Sequence, residues 1–80
     1  MFYVYIIQSI IDQSFYIGYT SDLKSRLWQH NNGISRYTKK KIPWKLVYTE
    51  PFQNKSEAIK RERFLEKQKN KDFYNRLIQG

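Results

Sequence analysis

The fold hangs on Phe2-Tyr3-Val4-Tyr5-Ile6-Ile7-Gln8-Ser9-Ile10-Ile11, the polar break Asp12-Gln13-Ser14, and Phe15-Tyr16-Ile17-Gly18-Tyr19. The first run is rich in Tyr, Val and Ile and alternates loosely, which predicts a buried strand over 2–11. The break is of turn type. The second run predicts a short strand over 15–19, and the two together predict an antiparallel hairpin. Side chains alternate faces along a strand. An even turn therefore places Tyr3, Tyr5 and Ile7 on one face with Tyr16 and Gly18. Phe2, Val4, Ile6, Phe15 and Ile17 take the other. The first face then carries several hydroxyls, beside a glycine that leaves open space.

Working outward, Thr20 or Ser21 is expected to cap a helix, with Asp22 in its first turn, where a negative charge suits the helix dipole. Leu23, Leu27 and Trp28 form its apolar stripe, and Asn31-Asn32-Gly33 stops it, with Gly33 as a left-handed cap. A loop over 34–43 carries Arg36, Lys39, Lys40 and Lys41. Trp44 to Thr49 reads as a third strand, with Trp44, Leu46 and Tyr48 alternating against Lys45, Val47 and Thr49, and Pro51 ends it. Asn54 with Glu57 three residues on resembles a capping box and opens a helix over 55–68. Asn70 or Asp72 starts a last helix whose Phe73, Leu77 and Ile78 face inwards. The order β-β-α-β-α-α predicts an α+β domain, a three-stranded antiparallel sheet flanked by helices. Eighty residues are expected to make one domain.

Composition narrows the partners. Fifteen Lys and Arg against seven Asp and Glu give a net charge of +8, a strong bias towards a polyanion on so short a chain. With no Cys and one His, thiolate zinc sites are excluded and a bound metal is held mostly by oxygen, which favours Mg²⁺ or Mn²⁺. Zero Cys fits a cytoplasmic protein. No segment approaches the roughly 20 apolar residues of a membrane helix, and the opening run lacks the basic flank of a signal peptide.

Some polar residues sit where apolar ones belong. Ala58, Ile59, Glu62 and Leu65 follow the i, i+1, i+4, i+7 spacing of one helix face. Glu62 is thus a carboxylate within an apolar stripe, and needs a cation or hydrogen bonds. An ion pair with a Lys or Arg at the stripe's edge satisfies it as well as a metal. Leu23, Arg26, Leu27 and His30 share one side of the first helix. Arg26 either snorkels past the leucines or serves a site, and His30 is either a hydrogen-bonded core residue or a functional one.

Tyr3-Val4-Tyr5, then Tyr16-Ile17-Gly18, then Arg26 and His30 on the next helix and Glu62 on the following one, resemble the GIY-YIG nuclease family over nearly the whole chain. Tyr16 to Leu23 with Arg26, and Ala58 with Glu62, look like the small stand-alone bacterial members. The first motif departs from the family name, with Tyr3 for Gly and Val4 for Ile. The resemblance implies the same fold and a divalent-metal-dependent endonuclease acting on DNA. Glu62 then binds one Mg²⁺ or Mn²⁺, Arg26 contacts the phosphate, and Tyr5 and Tyr16 position or deprotonate the attacking water, with His30 as the rival base. Gly18 leaves room beside Tyr16 for phosphate or metal. Asn75 stands where the family often has a supporting Asn. Arg36, Lys39, Lys40 and Lys41 contact the nucleic-acid backbone without reading sequence, so specificity falls to a partner protein. The competing reading is a nucleic-acid-binding module that keeps the fold without the rate.

Overall fold

The computed structural model describes all 80 residues. The hairpin forms as expected. Strand β1 (Phe2–Ser9) pairs antiparallel with β2 (Phe15–Thr20), and Tyr5 lies opposite Gly18, Ile7 opposite Tyr16. Tyr3, Tyr5, Ile7, Tyr16 and Gly18 therefore share a face. The first strand ends at Ser9, short of Ile11. Ile10 and Ile11 are exposed in the turn, where Ser9 Oγ accepts from the Ile11 N–H (3.1 Å).

Helix α1 (Leu23–Asn31) follows, then a basic loop with one 3₁₀ turn at Lys39–Lys41, strand β3 (Trp44–Phe52), helix α2 (Lys55–Gln68) and helix α3 (Lys71–Gln79). The sheet order is β2-β1-β3 and every pairing is antiparallel. Central β1 is covered on both faces, which is why Val4, Tyr5, Ile6 and Ile7 are all buried. On one face Val4, Ile6 and Ile17 pack on Ala58 and Leu65 of α2 and Tyr74 of α3. On the other, Tyr5, Ile7 and Trp44 pack with Tyr16 against Leu23 and Leu27 of α1.

The caps differ partly from expectation. Asp22, not Thr20 or Ser21, caps α1, its carboxylate accepting from the Ser25 N–H (3.1 Å); Thr20 instead accepts from the Asp22 N–H (3.1 Å), fixing the strand-to-helix corner. Gly33 takes the left-handed conformation (φ 75°) past the end of α1. Asn54 caps α2 through the Glu57 N–H (2.9 Å), and Asn70 caps α3. Trp28 lies 59% exposed, off the stripe that Leu23 and Leu27 make. In α3 the buried ring is Tyr74, flanked by Phe73 and Leu77, and its hydroxyl donates to the Leu65 carbonyl (2.6 Å).

Strand β3 departs from simple alternation. Ile6 pairs with Tyr48 but Ile7 pairs with Leu46, so Val47 is an extra residue in a bulge. A bulge turns the following side chains onto the other face. Trp44 therefore packs on the α1 side, while Val47 and Tyr48 both pack on the α2 side. Pro51 does not end the strand but lies within it, opposite Tyr3. An edge strand tolerates a residue without an N–H.

Candidate active site

Three elements deliver the side chains. Tyr5 comes from the central strand, Tyr16 from its hairpin partner, and Arg26 and His30 from α1. Arg26 and His30 lie one helical turn apart, so both reach the sheet face carrying the phenols. His30 Nε2 lies 2.8 Å from the Tyr5 hydroxyl, and Arg26 Nε donates to the same oxygen at 3.4 Å. The His30 ring also meets Tyr16 edge-on, with centroids 5.2 Å apart. Arg26 Nη1 donates to Gln29 Oε1 (2.7 Å), which steadies the guanidinium and leaves Nη2 without a protein partner.

Gly18 serves a purpose other than the expected one. A Cβ there would sit 2.5 Å from the Tyr5 hydroxyl oxygen and 2.7 Å from Cζ. The space above the glycine is not a clearing beside Tyr16 for phosphate or metal; the Tyr5 ring fills it.

Burial sets the ionisation of these groups. Tyr5 is 2% exposed, and burial pushes its pKa up to about 12 even though the Arg26 hydrogen bond and charge pull the other way. Tyr16 is raised as well, mainly by burial, with Arg26 lowering it and Glu62 and Glu66 raising it. Both phenols keep their protons at neutral pH. His30 is fully buried, and burial together with the Arg26 charge lowers its pKa to about 4. The ring is neutral at pH 7, and both nitrogens are engaged, because Nδ1 lies 2.8 Å from Thr38 Oγ1. The imidazole thus bridges the Tyr5 hydroxyl of the central strand and the Thr38 hydroxyl of the basic loop.

Glu62 stands in the middle of α2. Ala58 and Leu65 on either side of it are buried, and it is half-buried itself. No Lys or Arg pairs with it; the salt bridges are Lys41–Asp12 and Arg61–Glu50. Burial raises its pKa, the neighbouring Glu66 raises it further, and Arg63 opposes both. Its charge contributes to the raised pKa of Tyr5 and of Tyr16, after burial in each case. An open groove of about 340 Å³, lined by Phe15, Tyr16, Ile17, Glu66, Lys69 and Tyr74, adjoins Tyr16.

The remaining expected residues divide. Arg36, Lys39 and Lys40 are exposed on the basic loop with no salt bridge. Lys41 is committed elsewhere: its ammonium pairs with Asp12 at 3.0 Å and donates to Ser14 (3.3 Å), tying the loop to the hairpin turn. Asn75 is exposed on α3 and its side chain makes no hydrogen bond. Thr38 was missed, because a single threonine between Tyr37 and three lysines carries no periodic signal. Glu50 was missed too; Arg61 binds it with Nε (2.8 Å) and Nη2 (3.3 Å), and the Tyr48 hydroxyl donates to it (2.6 Å).

Comparison with known proteins identifies the family. The family model described as the GIY-YIG catalytic domain matches residues 1–76. A UPF0213 protein of Staphylococcus saprophyticus is 49% identical over 61 residues, covering 75% of this chain and 73% of the relative. One from Clostridium perfringens is 47% identical over 68 residues, covering 84% and 72%. The solution NMR structure of a UPF0213 protein from Bacillus halodurans superposes with a TM-score of 0.58 at 34% identity, covering 99% of this chain and 84% of that one. The chain belongs to the GIY-YIG family.

Proposed function

We propose that this chain is a divalent-metal-dependent endonuclease that hydrolyses phosphodiester bonds in DNA. The observation that carries the reading is the meeting of Tyr5, Arg26 and His30 beside Tyr16, with the charge of Glu62, a half-buried carboxylate with no salt bridge, reaching both phenols.

The donor set fits a hard cation. Glu62 offers oxygen, no cysteine is present, and the one histidine is sealed. No group of three His, Cys, Asp or Glu residues gathers into a ready-made cage, so water and phosphate oxygens complete such a site, as is usual for Mg²⁺. A bound Mg²⁺ or Mn²⁺ supplies charge neutralisation at the phosphate and an acidified water. Arg26 meets a phosphate oxygen through its free Nη2, where a planar charge-assisted donor suits an oxyanion. Tyr16, half-buried with a hydroxyl that no protein group engages, orients the attacking water by hydrogen bonding. Neither phenol need be deprotonated for this. Arg36, Lys39 and Lys40 hold the backbone without reading bases. No helix is long and apolar enough to cross a membrane, and we place the protein in the cytoplasm, where its substrate lies.

The test is nicking of supercoiled plasmid in Mg²⁺ or Mn²⁺ by the parent and by Glu62→Ala. The expected loss is at least ~100-fold, the scale on which single electrostatic groups act in such reactions. Binding without cleavage in either metal would move the chain to the non-catalytic module, and cleavage untouched by the substitution would place the chemistry elsewhere.

A further inference from the structure

Helix α2 ends at Gln68 and α3 begins at Lys71, with Lys69 between them in the left-handed conformation (φ 44°). The junction is tied to the core. The buried Tyr74 hydroxyl donates to the Leu65 carbonyl (2.6 Å) and accepts from the Lys69 N–H (3.2 Å). Lys69 is therefore fixed through its backbone while the residue itself stays exposed.

Three cations surround this junction. Arg63, Lys67 and Lys69 line an open concavity of about 330 Å³, with Glu66 as its single carboxylate. None of the three forms a salt bridge; the pairs are Lys41–Asp12 and Arg61–Glu50. The helix dipole favours positive charge at this end of α2, which accounts for the lysines but not for where their concavity leads. Glu66 and Lys69 also line the groove beside Tyr16, so the two hollows are continuous. That groove runs past Phe15, Tyr16 and Ile17 of β2, an edge strand. Helix α1 packs on one face of the sheet, α2 and α3 on the other. On the α1 side the His30 ring meets Tyr16 and its Nδ1 meets Thr38 of the basic loop. Tyr16 thus lies between two sets of unpaired cations: Arg36, Lys39 and Lys40 on one side, Arg63, Lys67 and Lys69 on the other.

We propose that Arg63, Lys67 and Lys69 form a second backbone-binding patch, and that a nucleic acid held by the basic loop crosses the β2 edge at Tyr16 and follows the groove to the α2–α3 junction. A phosphodiester chain repeats its charge along its length, which suits cations divided between two patches; a small anion would need only one. Contacts of this kind set position without reading bases. The proposal rests on the nuclease reading for its substrate, and not on cleavage.

The experiment measures binding of a fluorescein-labelled DNA duplex by the full chain, in EDTA, across a salt series. Lys67→Gln with Lys69→Asn is expected to lower the log–log slope by about 2, asparagine being tolerant of the left-handed backbone. Arg63 is kept, because its charge also acts on Glu62. Lys55→Gln with Lys60→Gln removes two exposed lysines from the first half of the same helix, and is expected to change the slope by well under ~1. Joining Lys67→Gln and Lys69→Asn to Lys39→Ala and Lys40→Ala is expected to lower it by about 4, because one duplex meets both patches at once. A slope indifferent to Lys67 and Lys69 overturns the patch, and so does an equal effect from Lys55 and Lys60, which would mean diffuse charge alone. A combined loss no larger than that of either pair overturns the path across Tyr16. A protein that binds with the expected slopes yet nicks no plasmid in Mg²⁺ or Mn²⁺ retires the nuclease reading and leaves the patch standing.

Discussion

Replacing Gly18 by alanine probes the packing of the Tyr5 phenol directly. The added Cβ would meet Tyr5 at 2.5 Å from the hydroxyl oxygen, 2.7 Å from Cζ and 3.1 Å from Cε2. These are atoms of a rigid ring held under α1, not the free end of a flexible chain. Gly18 does not use the left-handed conformation, so the backbone accepts alanine and the cost is steric. Overpacking of this kind costs about 1–3 kcal/mol. Moving the phenol also strains its contacts to His30 and Arg26, each worth roughly 0.5–1.5 kcal/mol net. Alanine's better strand entropy returns about 0.5–1 kcal/mol. The balance is a loss of roughly 2–4 kcal/mol, or a Tm lower by about 10–25 °C in a domain of this size. Urea unfolding followed by the fluorescence of buried Trp44 measures it. The same substitution in a Tyr5→Leu background is expected to cost less than half as much, as a double-mutant cycle requires of groups in contact. A Gly18→Ala protein within about 0.5 kcal/mol of the parent, the usual surface range, would show that the ring does not occupy this space.

Two further perturbations follow from the charges. His30 has a folded pKa of about 4, below the ordinary 6.5 or so of an unfolded chain. The unfolded state therefore binds the extra proton between these values, and stability, complete above pH 6.5, is lost as the pH falls towards 4. At roughly 1.4 kcal/mol per pH unit the loss is about 3 kcal/mol, read as a falling urea midpoint between pH 7 and pH 4.5. His30→Gln should flatten that window, and a parent as flat as the variant would mean the imidazole is not sealed. On duplex DNA in EDTA, Lys39→Ala with Lys40→Ala should reduce the log–log salt slope by about 2, whereas Lys41→Ala, already paired with Asp12, should change it by well under 1. Equal effects from all three lysines would refute the assignment of Lys41 to the hairpin turn.

The faces of the hairpin were legible in the sequence because parity decides them: an even turn sets Tyr5 and Tyr16 on one face, and the pairing of Tyr5 with Gly18 obeys it, whereas the exact register needed the structure. Asn54 was legible as a cap because a side-chain oxygen just before a helical pattern has a free N–H to meet. Trp28 was misread because an apolar residue beside a stripe looks like part of it, and helix rotation decides otherwise. The Val47 bulge was invisible, since a strand's sequence does not say where its partner skips a residue. The same holds for Gly18. Its sequence position told which face it joined but not whether that space stayed open, and only the Tyr5 ring settles the matter.

The polar groups near the site fall into two kinds, and the division bears on function. Tyr5, His30 and Thr38 are buried and hydrogen-bonded to one another through the imidazole. Glu62, the Tyr16 hydroxyl and Arg26 Nη2 are only half-buried and have no protein partner. Glu50, by contrast, is half-buried and paired with Arg61. A negative, a neutral and a positive group are thus left open, beside a buried hydrogen-bonded layer. On the proposed nuclease reading, that set would meet a cation, a water and a phosphate oxygen, with the layer beneath holding it in place, which is the form electrostatic preorganisation takes.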